Sequence, residues 1–215
     1  MKSKENPILI LGASGYVGSR LIPQLIRQGY YVRAVSRSLS NLQRRLWHDH
    51  EQVECVAADV FDLASFQAVC KGCSVAYYLI HSMNPSHKKF AVADRQAARN
   101  MVTVAEKVGL DRIIYLGGLG ENGPELSEHL KSRAEVGRIL RSGKVATTIL
   151  RAAMIIGTGS ASFEILRYLV DRLPIMITPK WVKTVSQPIA IRNVLHYLIG
   201  CLENEETKGE VYDIG

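Results

Sequence analysis

Short aliphatic runs alternate with longer amphipathic stretches along nearly the whole chain. ILIL, RIIYL and ATTIL lack the polar alternation of a half-exposed strand, so each suits a strand buried on both faces. On that pattern strands are expected at 7–11, 31–36, 53–57, 74–80, 111–116, 145–151 and 210–213. Helices are expected at about 15–28, 62–70, 87–108, 125–142, 160–172 and 191–202. In the first helix Val17, Leu21 and Leu25 share a stripe, with Ile22 and Ile26 beside it. Pro23 conflicts with that helix, because proline lacks a backbone N–H and crowds the preceding turn; a bend or a lost bond is expected. Gly29, Gly109 and Gly143 follow helices where a left-handed cap would sit. Repeated βα units in this order predict an α/β fold: a Rossmann-type doubly wound parallel sheet with helices on both faces.

The first βα unit carries the densest chemistry. A strand runs into GASGYVG, where Gly12, Gly15 and Gly18 open a helix that leads to a second strand. Glycines are needed there because a side chain would block the tight turn, the approach of a pyrophosphate or the helix–strand contact. Backbone N–H groups and the helix N-terminus then receive the anion. Ser14, Tyr16 and Val17 fill the loop, with Ser14 and Tyr16 able to add hydrogen bonds or cover a bound dinucleotide. The second strand ends in AVSRS, so Ser36 and Arg37 stand where sites for NAD place an acid for the ribose hydroxyls. An acid would repel a 2′-phosphate, whereas Arg37, with Arg33 nearby, would bind one; NADP(H) is therefore preferred over NAD(H). Arg37 as a solvated loop cation is the alternative.

Further sites follow the next two strands. Asp59 and Val60 are placed to meet an adenine ring, although Asp59, like Asp62, also suits a helix N-cap. The stretch VAYYLIHSM brings Leu79, Ile80, His81 and Ser82 to the end of the fourth strand, the side that faces the ligand in this architecture. His81 is either an acid/base group or a hydrogen-bonded structural histidine. His87 is expected at the start of the following helix.

Composition narrows the class. The chain has 215 residues, 47% hydrophobic and 22% charged, which suits a single core of ordinary soluble type. No apolar run approaches the roughly 18–20 residues of a membrane span, and no signal peptide is evident, so a cytoplasmic location is expected. Cys70-Lys71-Gly72-Cys73 is formally CxxC, but it sits between a helix end and a strand; free thiols are favoured over a redox motif there. The net charge of +7 raises the question of nucleic acid, yet residues 1–50 hold eight Lys/Arg against two acids. That local excess beside the glycine loop fits a polyanionic cofactor, and no aromatic-interleaved basic stripe favours nucleic acid.

Taken in order, GASGYVG, AADV, YLIHSM, YLGGLG, LKSRAEVGRIL, LRAAMIIG and QPIAIRNVL resemble an atypical short-chain dehydrogenase/reductase across essentially all 215 residues. Within that superfamily the chain is similar to NmrA-like, NAD(P)-binding bacterial proteins often labelled nucleoside-diphosphate-sugar epimerase-like. The resemblance implies a NAD(P)-binding domain over 1–215 with partial substrate-side elements from about 152–209, in what is expected to be part of a longer chain. It also implies a Tyr-xxx-Lys pair and a Ser as proton-transfer apparatus, and this sequence departs from each. Gly117 and Gly118 stand at the Ser position, His129 aligns with the Tyr and Arg133 with the Lys. Arg133 would oppose protonation of His129 by like charge. Ala152 stands where relatives often carry Pro.

Two functions follow from the resemblance. In one, His129 with Arg133, or His81, supports reduction of an unknown carbonyl or quinone-like substrate by NADPH. In the other, the domain holds NADP(H) without catalysis and senses redox state through a protein partner. His129 and Arg133 as a solvated helix pair remains the alternative to both. Residues 173–184, with Trp181 between Lys180 and Lys183, are expected to form a substrate lid, a partner surface or a site shielded by a further C-terminal part of a longer chain.

Overall fold

The computed structural model describes residues 3–81, 87–119, 127–172 and 187–215. The expectations at Ser82 and at 173–184 lie outside the described residues. Seven strands form one parallel sheet: β1 (Ile8–Leu11), β2 (Val32–Ser36), β3 (Val53–Ala57), β4 (Val75–Tyr78), β5 (Arg112–Gly118), β6 (Ala146–Ala152) and β9 (Val211–Ile214). Their order is β3-β2-β1-β4-β5-β6-β9, so the winding reverses between β1 and β4. In such sheets the crevice at the carboxyl ends of those two strands is where ligands enter. A separate parallel pair, β7 (Ile155–Ile156) with β8 (Ile189–Ala190), lies outside the main sheet.

The connecting helices are α1 (Gly18–Arg27), α2 (Leu39–Gln43), α3 (Leu63–Cys70), α4 (His87–Val108), α5 (Glu128–Arg141), α6 (Ala161–Arg172) and α7 (Ile191–Glu203). Alternate residues of one strand feed two cores. Ile8 and Ile10 pack with Leu21, Leu25 and Leu198 of α1 and α7, while Leu9 and Leu11 pack with Phe66, Met101 and Leu140 of α3, α4 and α5. That two-sided burial is why the strands read as unbroken apolar runs.

Pro23 does not break α1. The N–H that proline lacks would have bonded the Ser19 carbonyl four residues back. Instead the indole Nε1–H of buried Trp47 donates to that oxygen at 3.0 Å. The cap expectation holds at Gly29 and Gly109, whose φ values are +82° and +73°, but not at Gly143, which has no positive φ. Gly143 is there for space: a Cβ would lie 2.6 Å from Cγ1 of Val102. Among the described residues no helix is long and apolar enough to cross a membrane.

Candidate functional site

The loop after β1 is held tightly enough to dictate glycine at two positions. Gly12 turns at φ +88°, and a Cβ there would stand 2.7 Å from the Leu79 carbonyl oxygen. A Cβ on Gly18 would reach 2.4 Å from the Gly12 oxygen, so α1 starts directly against the end of β1. The Leu79 N–H donates to the Leu11 oxygen at 3.0 Å, closing the β1/β4 switch point around the loop. Ile80 packs on the same side, its Cγ2 lying 3.2 Å from the Gly12 Cβ position.

The amides of Gly15 and Ala13 are used internally, donating to Gly12 and Val35 oxygens at 2.9 and 3.2 Å. Among the described residues, no acceptor faces the amides of Ser14, Tyr16 and Val17. Helix α1 has no side-chain cap and no acid in its first turn. Three open amides at an uncapped, acid-free helix start form the donor set that a pyrophosphate fits.

Side chains tie this loop to its neighbours. Ser14 Oγ lies 3.2 Å from Ser36 Oγ, and Arg45, half-buried, donates through Nη2 to the Ser14 carbonyl. The Arg45 Nε is buried without a partner. Arg37 is exposed, next to Ser36 at the same sheet edge, and has no partner among the described residues. Arg33 does not join them. It pairs with Glu54 at 2.7 Å and donates to the Val69 and Lys71 carbonyls, towards the amino end of β2. Four residues of strand separate it from Arg37, roughly 13 Å.

Tyr16 points its hydroxyl, buried and unpartnered, at Gly157, where a Cβ would come within 2.5 Å of it. Arg20 lies 4.0 Å above the Tyr16 ring and bonds both the Tyr16 carbonyl at 3.1 Å and the Thr158 carbonyl at 2.7 Å. The loop is thereby clamped to the turn that precedes α6.

Asp59 is exposed, its Oδ1 accepting from the Phe61 amide at 3.0 Å. The N-cap of α3 is Asp62, which accepts from Ala64 N at 3.2 Å. Asp59 therefore fixes the turn ahead of the helix rather than the helix itself. Val60 is half-buried against the α3–α4 core, and its carbonyl receives Nδ2 of Asn100 at 2.8 Å.

At the carboxyl ends of β4 and β5 the three departures from the expected proton-transfer set come together. The rings of His81 and His129 meet edge to face, centroids 6.4 Å apart. Arg133 donates through Nε to Nε2 of His129 at 3.2 Å and through Nη1 to the Leu116 carbonyl at 3.2 Å. Its aliphatic stem lies where residue 118 would place a side chain: a Cβ on Gly118 would be 3.2 Å from Arg133 Cδ and 2.8 Å from Leu130 Cδ2. A side chain at 118 therefore requires the tip of Leu130 to move aside and the Arg133 stem to give by a few tenths of an ångström.

Because Nε2 accepts, His129 is neutral here with its proton on Nδ1. Burial first, and the Arg133 charge second, lower its pKa; buried Asp94, on α4, works in the opposite direction. Asp94 also accepts from Ser132 Oγ at 3.3 Å. His81 is pushed down to about 4 by burial, then by Arg133 and His129. Both rings also reach solvent, and both imidazoles are neutral near pH 7.

The CxxC pair is far from this chemistry. Cys70 and Cys73 are buried free thiols, raised by burial to about 12 and about 11, the opposite of an activated thiolate. Among the described residues no group of three or more His, Cys, Asp or Glu could hold a metal ion.

Residues 12–167 match the family described as NAD(P)H-binding. The chain belongs to the NAD(P)H-binding family. This NAD(P)H-binding chain is 25% identical over 211 residues to the Arabidopsis thaliana protein named NADH dehydrogenase [ubiquinone] 1 alpha subcomplex subunit 9, mitochondrial, covering 96% of this chain and 52% of that protein. It is 26% identical over 117 residues to cinnamoyl-CoA reductase 1 of Oryza sativa subsp. japonica, covering 53% of this chain and 34% of the reductase. It thus spans about half or less of these two relatives' lengths. The solved structure of MoeE5 in complex with UDP-glucose and NAD superposes with a TM-score of 0.80 at 16% identity, over 98% of this chain and 76% of that one. These likenesses agree with the atypical short-chain dehydrogenase/reductase resemblance, and the NAD(P)H-binding fold is the Rossmann type expected.

Sequence reasoning missed Arg20, Arg45 and Asp94. Asp94 had a signal: it falls on the buried stripe of α4 with Ala97, Ala98, Met101 and Ala105, a polar residue at an apolar position.

Proposed function

We propose that the chain binds NADP(H) and passes its reducing equivalents to a quinone-like acceptor in preference to a simple ketone or aldehyde. The binding half rests on the three open amides of the glycine loop, with Ser36 and exposed Arg37 taking the 2′-phosphate. Arg45, with its unpartnered Nε beside Ser14, adds a second cation at that edge. Leu79 and Ile80 would line the ribose side, and Asp59 and Val60 the adenine.

The acceptor class rests on one observation: Arg133 Nε sits on His129 Nε2. When bound, a reduced nicotinamide supplies hydride. A ketone that receives hydride becomes an alkoxide and needs a proton at once, which Tyr normally provides and a neutral imidazole provides poorly. A quinone-like acceptor spreads the charge over its ring and can take its proton later from water. Arg133 holds a fixed positive charge beside that space, and a preorganised cation stabilises the developing anion without reorganisation.

A second reading is favoured by the same residues. Gly118, His129 and Arg133 offer no acidic hydroxyl, and a relative matching 96% of this chain carries the name of a subunit of a larger enzyme. On that reading NADP(H) is held as a sensor or structural cofactor and a protein partner responds to it.

Fluorescence titration with NADPH and NADH, then NADPH oxidation assayed with a naphthoquinone and with a panel of aldehydes, separates the readings. Turnover of the quinone alone supports the first. Binding without turnover supports the second. Absence of dinucleotide binding sinks both.

A further inference from the structure

Asp94 and Ser132 meet in the seam between α4 and α5, only 6% and 1% exposed. Ser132 Oγ donates to Oδ2 of Asp94 at 3.3 Å. The seam around them is apolar: Ala97, Ala98 and Met101 continue the Asp94 stripe on α4, and Val136 follows Ser132 on α5. A carboxylate withdrawn from water is costly, so its presence on such a stripe calls for a reason.

Holding the two helices together is not that reason. Arg95 and Glu135 already tie α4 to α5 at 2.9 Å in a partly exposed ion pair. A neutral Asn at 94 would have the same shape, would accept from Ser132 equally well and would be less costly to bury. What Asn lacks is the charge.

That charge acts on three rings, those of His129, Tyr115 and Tyr78. The tyrosines are committed elsewhere. Their rings meet edge to face at 5.8 Å, and the Tyr115 hydroxyl donates to the Arg133 carbonyl at 3.2 Å. Burial holds both phenols above their ordinary value, so each keeps its proton at neutral pH with or without Asp94. His129 is the ring that remains. It lies three positions before Ser132, and residues so spaced are neighbours on a helix surface. The groups acting on it are Arg133 on its own helix, His81 beyond the end of β4 and Asp94 on α4.

We propose that Asp94 is a positioning residue for the candidate site: a buried counter-charge, anchored by Ser132, that offsets Arg133 at the His129 imidazole. It acts through His129 and not on a ligand. With both imidazoles neutral, Asp94 and Arg133 balance each other in the empty site, with the negative end buried in the helix seam. The value of that arrangement to an acceptor beside Arg133 rests on the function proposed above; the interaction at His129 does not.

NMR titration of His129 in the whole chain reads the counter-charge directly and needs no turnover. Asp94→Asn should lower the His129 midpoint by about half a pH unit or more, as for a charge removed at several ångströms. Asp94→Ser, neutral and smaller, should give the same fall. Ser132→Ala keeps the charge and should move the midpoint less. A midpoint that stays or rises in the two Asp94 variants overturns the proposal. An equal fall in Ser132→Ala also overturns it, because the hydrogen bond and not the charge would then be responsible. If the midpoint falls as expected and no naphthoquinone is reduced, the counter-charge stands and the acceptor reading alone fails.

Discussion

Trp47 completes a helix that it does not belong to. Its indole N–H occupies the acceptor that Pro23 leaves open, the Ser19 carbonyl, at 3.0 Å. A proline that should weaken α1 is thus tolerated because a residue downstream of α2 supplies the missing donor. Trp47→Phe should lower stability in urea denaturation by about 1–3 kcal/mol for the unsatisfied carbonyl, in addition to the packing lost. In a Pro23→Ala background the helix makes its own bond and the same substitution should cost less. Equal losses in the two backgrounds would show that only packing was at stake.

Arg37→Ala should weaken NADPH about tenfold or more, in line with loss of charge-assisted bonds to phosphate, and leave NADH nearly unchanged. Calorimetric titration of both cofactors measures this. Parallel losses would remove the 2′-phosphate role.

Gly18→Ala tests the close approach. Its added methyl would meet the Gly12 oxygen at 2.4 Å, so the start of α1 must move away from β1. Dinucleotide binding should fall at least tenfold, while the far-UV spectrum remains that of a folded α/β protein. Unaltered binding would mean that the amides at the helix start are not the anion donors.

The two histidines give a pH dependence with a definite sign. A histidine whose folded pKa lies below its unfolded value binds its proton more readily when unfolded. Stability is therefore undiminished above about pH 6.5, the ordinary histidine value. It declines as pH falls toward the folded-state value, about 4 for His81. Below that both states are protonated and no further loss comes from this group. NMR titration of the imidazoles should place both midpoints below the ordinary value, and Arg133→Gln should move that of His129 upward. A stationary His129 midpoint would show that burial alone lowers it.

Cys70 and Cys73 should resist alkylation at pH 8 in the native protein and react on denaturation, because burial disfavours their thiolates. Mass spectrometry of iodoacetamide-treated protein reads each site. Fast native labelling of either would reopen the redox reading.

The main strands were legible because both of their faces are apolar, and a run such as ILIL has few other uses. Helix α2 and the β7/β8 pair were not, being too short to show a period. The glycine loop and the His129, Arg133 and Gly118 positions could be found because side-chain identity carries them. Arg20, Arg45 and Trp47 could not, since each bonds a backbone carbonyl (Thr158, Ser14 and Ser19), and carbonyls leave no trace in the choice of amino acid. Arg33 misled for a related reason: four positions along the chain is close in sequence, but along an extended strand it is a separate neighbourhood.

Arg20 reaches across 138 positions to the Thr158 carbonyl. All three glycines of the loop lie within the first 18 residues, so the loop's own turn can form early from local contacts. Its clamp cannot. The guanidinium finds its second carbonyl only after β6 and the turn beyond it have taken their places. The segment that is first in the chain therefore has its last contact made late in assembly, and a nascent or truncated chain ending before Thr158 would present the glycines without the fastening that holds them.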